Sequence, residues 1–308
     1  MKILVVGGAG YVGQRVCPYL ISSGHNVFAV DDRRLGNPLP FYPCSEKDLF
    51  SLKIGDLEGY HRVIFLAGLS NDPMANYSPA KNYIQNTAAP AYLAYIAKQA
   101  GVPRFIFASS ASVYGQSPLL MDEAALVHPA YPYGLSKLAA ENAVLQLVDS
   151  SFQVIALRKG TISGWSPRMR FDLAINAMFK DAVTTGVVTI HNGKIWRPIL
   201  AMTDAVRAYA AAVEAPTPHS GVFNILSENH DMDYIGNAVA RAMECKVVVN
   251  EEPEMRTYRM DGRKASLDIG YQPQDGVYEI IRELQVTCGN RPKEWFEQDC
   301  FYNIRMML

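Results

Sequence analysis

Ile3-Leu4-Val5-Val6-Gly7-Gly8-Ala9-Gly10-Tyr11-Val12-Gly13 opens the chain and decides its architecture. Four apolar residues, three of them β-branched, read as a buried parallel strand halted at Gly7. Glycines at the first, fourth and seventh places of the following loop let the backbone turn tightly and approach a diphosphate. The next helix then aims its N-terminal N–H groups at that anion. The helix is expected to run to about Ser23 and close at Gly24, with a kink at Pro18. A second strand is expected over Asn26 to Val30, and Asp31 stands at its end. An acid about 20 residues beyond the loop is placed to hold the adenosine ribose hydroxyls.

Strand, glycine turn, helix, strand and acid in this order predict an α/β fold, a Rossmann-like doubly wound parallel sheet that binds a dinucleotide. Asp31 favours NAD, because its carboxylate repels a 2′-phosphate; Arg33 and Arg34 keep NADP open as the less favoured cofactor. Further strands are expected near Phe41 to Ser45 and over Arg62 to Leu66, the latter ending in Leu66-Ala67-Gly68, small residues on which the cofactor can lie. Asp48 and Asp56 are alternative contacts to adenine. Ser70-Asn71-Asp72-Pro73 then starts a loop at the carboxyl end of the sheet, the usual place for ligands in open α/β folds. A helix over about Ala88 to Ala100 leads to the strand Arg104 to Ala108, which runs into Ser109-Ser110-Ala111-Ser112-Val113-Tyr114-Gly115. The strand Gln153 to Arg158 leaves the sheet through Lys159-Gly160-Thr161 toward the substrate side.

Tyr133 and Lys137 stand four residues apart at the head of an Ala- and Leu-rich segment, so on a helix they share one face. A nearby cation favours the phenolate, which makes the pair a candidate general base. With 17 tyrosines in the chain the spacing alone decides nothing, and Tyr77/Lys81 repeats it. Pro79 between the members of that second pair puts Tyr77 at or before a helix start, so it reads as surface. Tyr133 instead follows Ser110 and the dinucleotide loop on one sheet.

These motifs together resemble the extended short-chain dehydrogenases/reductases, in the branch of NAD-dependent sugar-nucleotide epimerases and dehydratases. The resemblance covers the Gly7–Gly13 loop, Leu66-Ala67-Gly68, Asn86 in Asn-Thr-Ala-Ala-Pro, Ser110, the Tyr133/Lys137 pair, and Arg197-Pro198 followed by Thr203-Asp204-Ala205. It implies catalysis by Ser110, Tyr133 and Lys137, with NAD held by Gly7, Gly10, Tyr11, Val12, Asp31, Asp32, Arg33, Leu66, Ala67, Gly68 and Asn86 and by Tyr133 and Lys137 themselves, Lys137 at the cofactor ribose. It also implies a nucleotide-diphosphate sugar as substrate, met by Ser70, Ser112, Thr161, Arg168, Arg170, Arg197 and Arg256. C4 epimerisation through a transient 4-keto sugar leads. Reduction of a 4-keto sugar comes next, then dehydration, which is disfavoured because Ser110-Ala111-Ser112 lacks the acid pair that follows the serine in dehydratases. A dinucleotide-binding sensor or scaffold is the non-enzymatic reading.

Residues 1–165 are expected to form the NAD-binding domain, with 197–225 returning to it, and 166–196 with 226–308 the substrate-binding domain. An Asn192-Gly193 hairpin and an amphipathic helix bearing Val277, Ile280, Ile281 and Leu284 belong to the latter. The family pairs the two helices near 88–100 and 133–148 across a two-fold axis, so a homodimer through a four-helix bundle is expected. With 19% charged residues, a net charge of -1, scattered cysteines and histidines and no long apolar run, the composition fits an ordinary globular protein. It points to no nucleic-acid partner, no membrane, no metal and a cytoplasmic location.

Overall fold

The computed structural model describes residues 1–36, 40–251 and 256–307. Its centre is a sheet of seven parallel strands: β1 (Lys2–Val6), β2 (Asn26–Asp31), β3 (Cys44–Glu46), β4 (Arg62–Phe65), β5 (Arg104–Ser110), β6 (Gln153–Lys159) and β7 (Gly221–Ile225). They lie in the order β7-β6-β5-β4-β1-β2-β3. The order reverses between β1 and β4, and a crevice opens at such a switch point beyond the carboxyl ends of the strands. The third strand starts later than expected. Pro40 and Pro43 cannot donate to a ladder, and Tyr42 instead sends its hydroxyl to the Gly8 carbonyl at 2.7 Å.

Alternation along β1 shows how both faces are buried. Ile3 and Val5 pack with Val16 and Leu20 of helix α1 (Gly13–Ser22) and with Ala205 and Tyr209 of the helix Met202–Glu214. Leu4 and Val6 pack on the opposite face with Leu93 and Ala97 of α2 (Ala89–Gln99) and Ala140 and Val144 of α3 (Pro132–Leu145). Each fully buried aliphatic side chain of this kind contributes about 1.5–3 kcal/mol.

A second core joins the helices Ala174–Thr185, Met232–Ala242 and Val277–Cys288 to the aromatic tail at Phe296 and Phe301. Val277, Ile280, Ile281 and Leu284 are all buried in it, as their helical spacing requires. Residues 263–271, expected with the substrate-binding part, instead bring Ala265, Ile269 and Tyr271 to the first core, on the face beside β7.

The Asn192-Gly193 hairpin does not form. Val187–His191 pairs in parallel with Lys246–Asn250, while Trp196–Ala201 pairs with Glu228–Asp231 and Thr161–Ser163. Of the two turn residues only Asn192 has a positive φ, +50°, whereas the tight hairpin turn needs it at both. The Gly193 carbonyl accepts the Asp233 N–H at 2.8 Å, and a Cβ on Gly193 would overlap the Asp233 carboxylate. The turn is therefore used to seat a helix start, and the two strands diverge.

Glu141 on α3 is 1% exposed and takes a forked pair of bonds from Arg158 of β6 at 2.8 and 3.0 Å, together with the Ser109 hydroxyl of β5. Glu141→Ala leaves that guanidinium buried without its counter-charge, and a loss of about 3–5 kcal/mol is expected in urea unfolding. A loss below about 1 kcal/mol would show that the pair does not hold α3 to the sheet.

Candidate active site

The turns after β1 and β4 lie side by side and floor one cavity. Gly7, Gly10, Tyr11 and Val12 line it from the first turn, and Leu66, Ala67 and Gly68 from the second. The contact is close enough that a Cβ on Gly7, at φ +87°, would run into the Ala67 backbone. Helix α1 follows its N-cap Val12 with no side-chain cap; the Gln14 and Arg15 N–H groups bond the Gly10 and Val12 carbonyls, and the positive end of the helix dipole faces the turn, where an anion is favoured. Asp31 is buried against the same turn, its Oδ2 accepting the Ala9 N–H at 3.0 Å and its Oδ1 the Arg33 N–H at 2.8 Å. Bare turn, uncapped helix and buried acid fit a dinucleotide.

The arginines that kept a 2′-phosphate open are met by carboxylates. Arg33 turns to Glu46 at 3.0 Å and stands outside the cavity lining, while Arg34 lines the cavity together with its partner Asp32. Asp48 and Asp56 spend carboxylate oxygens on the Phe50 and Lys53 N–H groups, each at 2.8 Å, and neither lines the cavity. Asn86 is also behind the wall. It is wholly buried, takes the Leu69 N–H at 3.0 Å and donates to the Leu69 carbonyl at 2.8 Å, so it shapes the turn after β4. Tyr11 donates its hydroxyl to the Gly164 carbonyl at 2.7 Å and ties the glycine turn to the segment beyond β6.

At the other end of the cavity β5 finishes in two serines that face opposite ways. Ser109 donates into the Glu141 cluster, and Ser110 lines the cavity beside Tyr133 and Lys137. Both of the latter come from α3, Tyr133 in its first turn and Lys137 one turn on. Burial pushes the Tyr133 phenol up to about 12, against the hydrogen bond with Ser110 and the Arg170 guanidinium, which pull it down, and Asp72, which raises it. Lys137 was expected to supply that cation. Its ammonium instead donates to the Ala108 carbonyl at 3.0 Å, 6.0 Å from the Tyr133 ring centre, and burial lowers it to about 8 with Glu141 opposing. The competing pair is split: Tyr77 ends one short helix and is 51% exposed, Ser78 breaks the helical path at φ -143°, and Lys81 belongs to the next helix.

Ser70, Ser112, Thr161, Arg168, Arg170, Arg197 and Arg256 all reach the cavity. Two of the four arginines are engaged with acids of this chain. Arg170 forks onto Asp172 at 2.7 and 2.9 Å and reaches the Ser70 hydroxyl at 2.6 Å; Arg256 pairs with Asp72 and stacks over Tyr131 at 4.7 Å. Arg197 bonds the carbonyls of Trp196 and Arg256, and Arg168, 1% exposed, has an Nε with no partner among the described residues. Neither has a carboxylate partner among the described residues.

Asp72, Lys159, Tyr258 and Asn303 also line the cavity and were not named as site residues from the sequence. Lys159 had a signal, since a charged residue ends an apolar strand that enters the site. Asn303 had none. It arrives from the C-terminal tail, 233 residues beyond the Ser70 hydroxyl to which it donates at 3.0 Å.

A parallel sheet that ends in a glycine turn, a buried acid at the end of β2 and a Ser–Tyr–Lys set fits a dinucleotide-dependent enzyme of acid/base and hydride chemistry. A profile of the NAD dependent epimerase/dehydratase family matches residues 3–225, and the chain belongs to that family. It is 33% identical to the UDP-glucose 4-epimerase of Neisseria meningitidis serogroup C, over 94% of this chain and 98% of that one. It is 28% identical to an uncharacterised UDP-glucose epimerase of Bacillus subtilis strain 168, over 93% and 92%. Among solved structures it is similar to MoeE5 in complex with UDP-glucuronic acid and NAD, with TM-score 0.83, 28% identity and coverage of 97% and 99%. The fold is also that of the NDP-hexosamine 5,6-dehydratase TunA, with TM-score 0.86 at 23% identity, over 96% and 99%.

Arg170→Met removes a cation that pulls the Tyr133 phenol down, so that phenol should titrate higher. Ultraviolet difference titration against Tyr133→Phe in each background isolates it, and an unchanged midpoint would remove Arg170 from the account.

Proposed function

We propose that this protein is an NAD-dependent epimerase acting at C4 of a nucleotide-diphosphate sugar through a transient 4-keto sugar. The observation that carries this reading is Ser110, Tyr133 and Lys137 at one end of a cavity whose other end is the glycine turn and Asp31. Gly7, Gly10 and Val12 would receive the dinucleotide diphosphate, Asp31 the adenosine ribose and Lys137 the second ribose. When bound, NAD supplies the hydride acceptor and returns the hydride to the sugar. Tyr133, as phenolate, takes the proton of the C4 hydroxyl and gives it back, while the Ser110 hydroxyl holds the reacting oxygen. Arg168 and Arg197, which have no acidic partner among the described residues, are the best placed to meet the substrate diphosphate. No acid occupies positions 111 or 112, which speaks against dehydration, and the Neisseria meningitidis and Bacillus subtilis relatives, the two quoted by sequence, are described as UDP-glucose epimerases.

Two finer points belong to the same proposal. The helix-rich surface near α2 and α3 exposes Tyr83, Ile84, Tyr95 and Leu135, apolar area that a homodimer through a four-helix bundle would cover. Five free cysteines suit the reducing cytoplasm, and no helix among the described residues is long and apolar enough to cross a membrane.

Tyr133→Phe should lower turnover at least ~10²-fold with NAD affinity, measured by calorimetry, largely kept; normal turnover would sink the assignment. Wild-type protein incubated with nucleotide sugars in deuterated water should yield a C4 epimer without solvent deuterium by NMR. Deuterium next to the carbonyl carbon would instead indicate dehydration. Tyr95→Asp with Leu135→Asp should convert a dimer to a monomer in light scattering, and a dimer that survives both changes would place the interface elsewhere.

A further inference from the structure

Lys159 is the last residue of β6, and its register partner is Ser110 of β5. Partners in neighbouring parallel strands point to the same side of the sheet, about 4.8 Å apart. Lys159 therefore starts beside the serine that holds the reacting oxygen, and it lines the cavity with Ser110 and Tyr133. Of the other cations at this end, Arg170 is engaged with Asp172, Arg256 with Asp72, Lys137 with the Ala108 carbonyl, and Arg197 with the carbonyls of Trp196 and Arg256. The Lys159 ammonium has no hydrogen bond or ion pair among the described residues, and the Tyr209 ring, 5.9 Å away, is an aromatic neighbour. Burial lowers it to about 7, and the charge on Lys137 pushes the same way. Two hydroxyls flank this amine along the chain: Ser112 follows Ser110, and Thr161 follows Lys159. Both line the cavity, and neither donates to a described residue.

Resting on the epimerase reading above, we propose that the sugar handled here is a uronic acid of a nucleotide diphosphate, its carboxylate received by Lys159 and the hydroxyls of Ser112 and Thr161. The C4 hydroxyl must lie between Ser110 and Tyr133, and the exocyclic carbon of a hexose is attached at C5, the adjacent ring carbon. A carboxylate there falls within reach of the groups that flank Ser110. A neutral hydroxymethyl group would leave the buried Lys159 ammonium, beside the charge of Lys137, with no acidic partner among the described residues, whereas a carboxylate offsets it and forms charge-assisted hydrogen bonds. Lys159 thus acts as a specificity residue, distinct from the proton-transferring Tyr133.

The test is calorimetric titration of NAD-loaded Tyr133→Phe protein with glucuronate and glucose, each carried on UDP, dTDP, CDP and GDP. In at least one pair the uronate should bind ~10- to 10²-fold more tightly. Lys159→Met should collapse that preference to within about threefold while still binding NAD, and Lys159→Arg should keep part of it. A neutral sugar that binds as well in every pair, no binding by any sugar, or a Lys159→Met protein that keeps the preference overturns the proposal. NMR of the wild-type reaction separates this from the reading beneath it. Uronate preference without an epimer sinks the epimerase and leaves the specificity standing, whereas epimerisation of neutral sugars without uronate preference does the reverse.

Discussion

Three groups from three elements meet at Glu141. The carboxylate, on α3, is held by the Arg158 guanidinium of β6 and the Ser109 hydroxyl of β5, and Arg158 continues to the Tyr114 hydroxyl at 3.1 Å, which donates to Asn224 of β7 at 2.7 Å. A buried pair like this is retained at a desolvation cost, and its geometry must be well satisfied to persist. Its consequence lies one residue further along each strand. Ser110 and Lys159 follow Ser109 and Arg158, so the network that fixes the strands also fixes the next layer, which faces the cavity. Lys137 and Tyr133 lie one and two helical turns before Glu141 on the same helix and inherit their position from it.

The cavity is electrostatically uneven. Near the glycine turn the protein presents Asp31 and the Asp32–Arg34 pair; near Tyr133 it presents several cations, of which Arg170 and Arg256 are balanced by Asp172 and Asp72. Balance at those two arginines turns them from phosphate forks into fixed walls. Arg170 also becomes the charge that the phenol faces, a role that helical spacing would give to Lys137. The same principle makes an unbalanced buried ammonium at Lys159 informative, because an interior charge without a partner is costly unless a ligand completes it.

Local pattern was a good guide wherever one face or one turn had a single solution. Strand β1, the glycine turn, α1 and Asp31 lie where the apolar run, the glycine spacing and the acid placed them, and the spacing of Val277, Ile280, Ile281 and Leu284 marked a buried helical face. Pattern failed where a distant group took over a local signal. Asn192-Gly193 has hairpin composition but seats the start of the helix Met232–Ala242, and Asn86, four residues before Pro90, shapes the turn after β4 from behind the cavity wall.

By itself, then, the amino-acid sequence determined the parallel sheet, the dinucleotide turn and the Ser–Tyr–Lys set, because each depends on periodicity or on spacing within one element. The tertiary structure alone decided which arginines are neutralised, that Asn303 reaches Ser70 from the far end of the chain, and that Lys159 stands uncompensated beside Ser110. Those are properties of neighbours brought together by sheet register and chain crossover. A side chain's charge is legible in the sequence, but the dielectric and counter-charge around it exist only once the fold has closed.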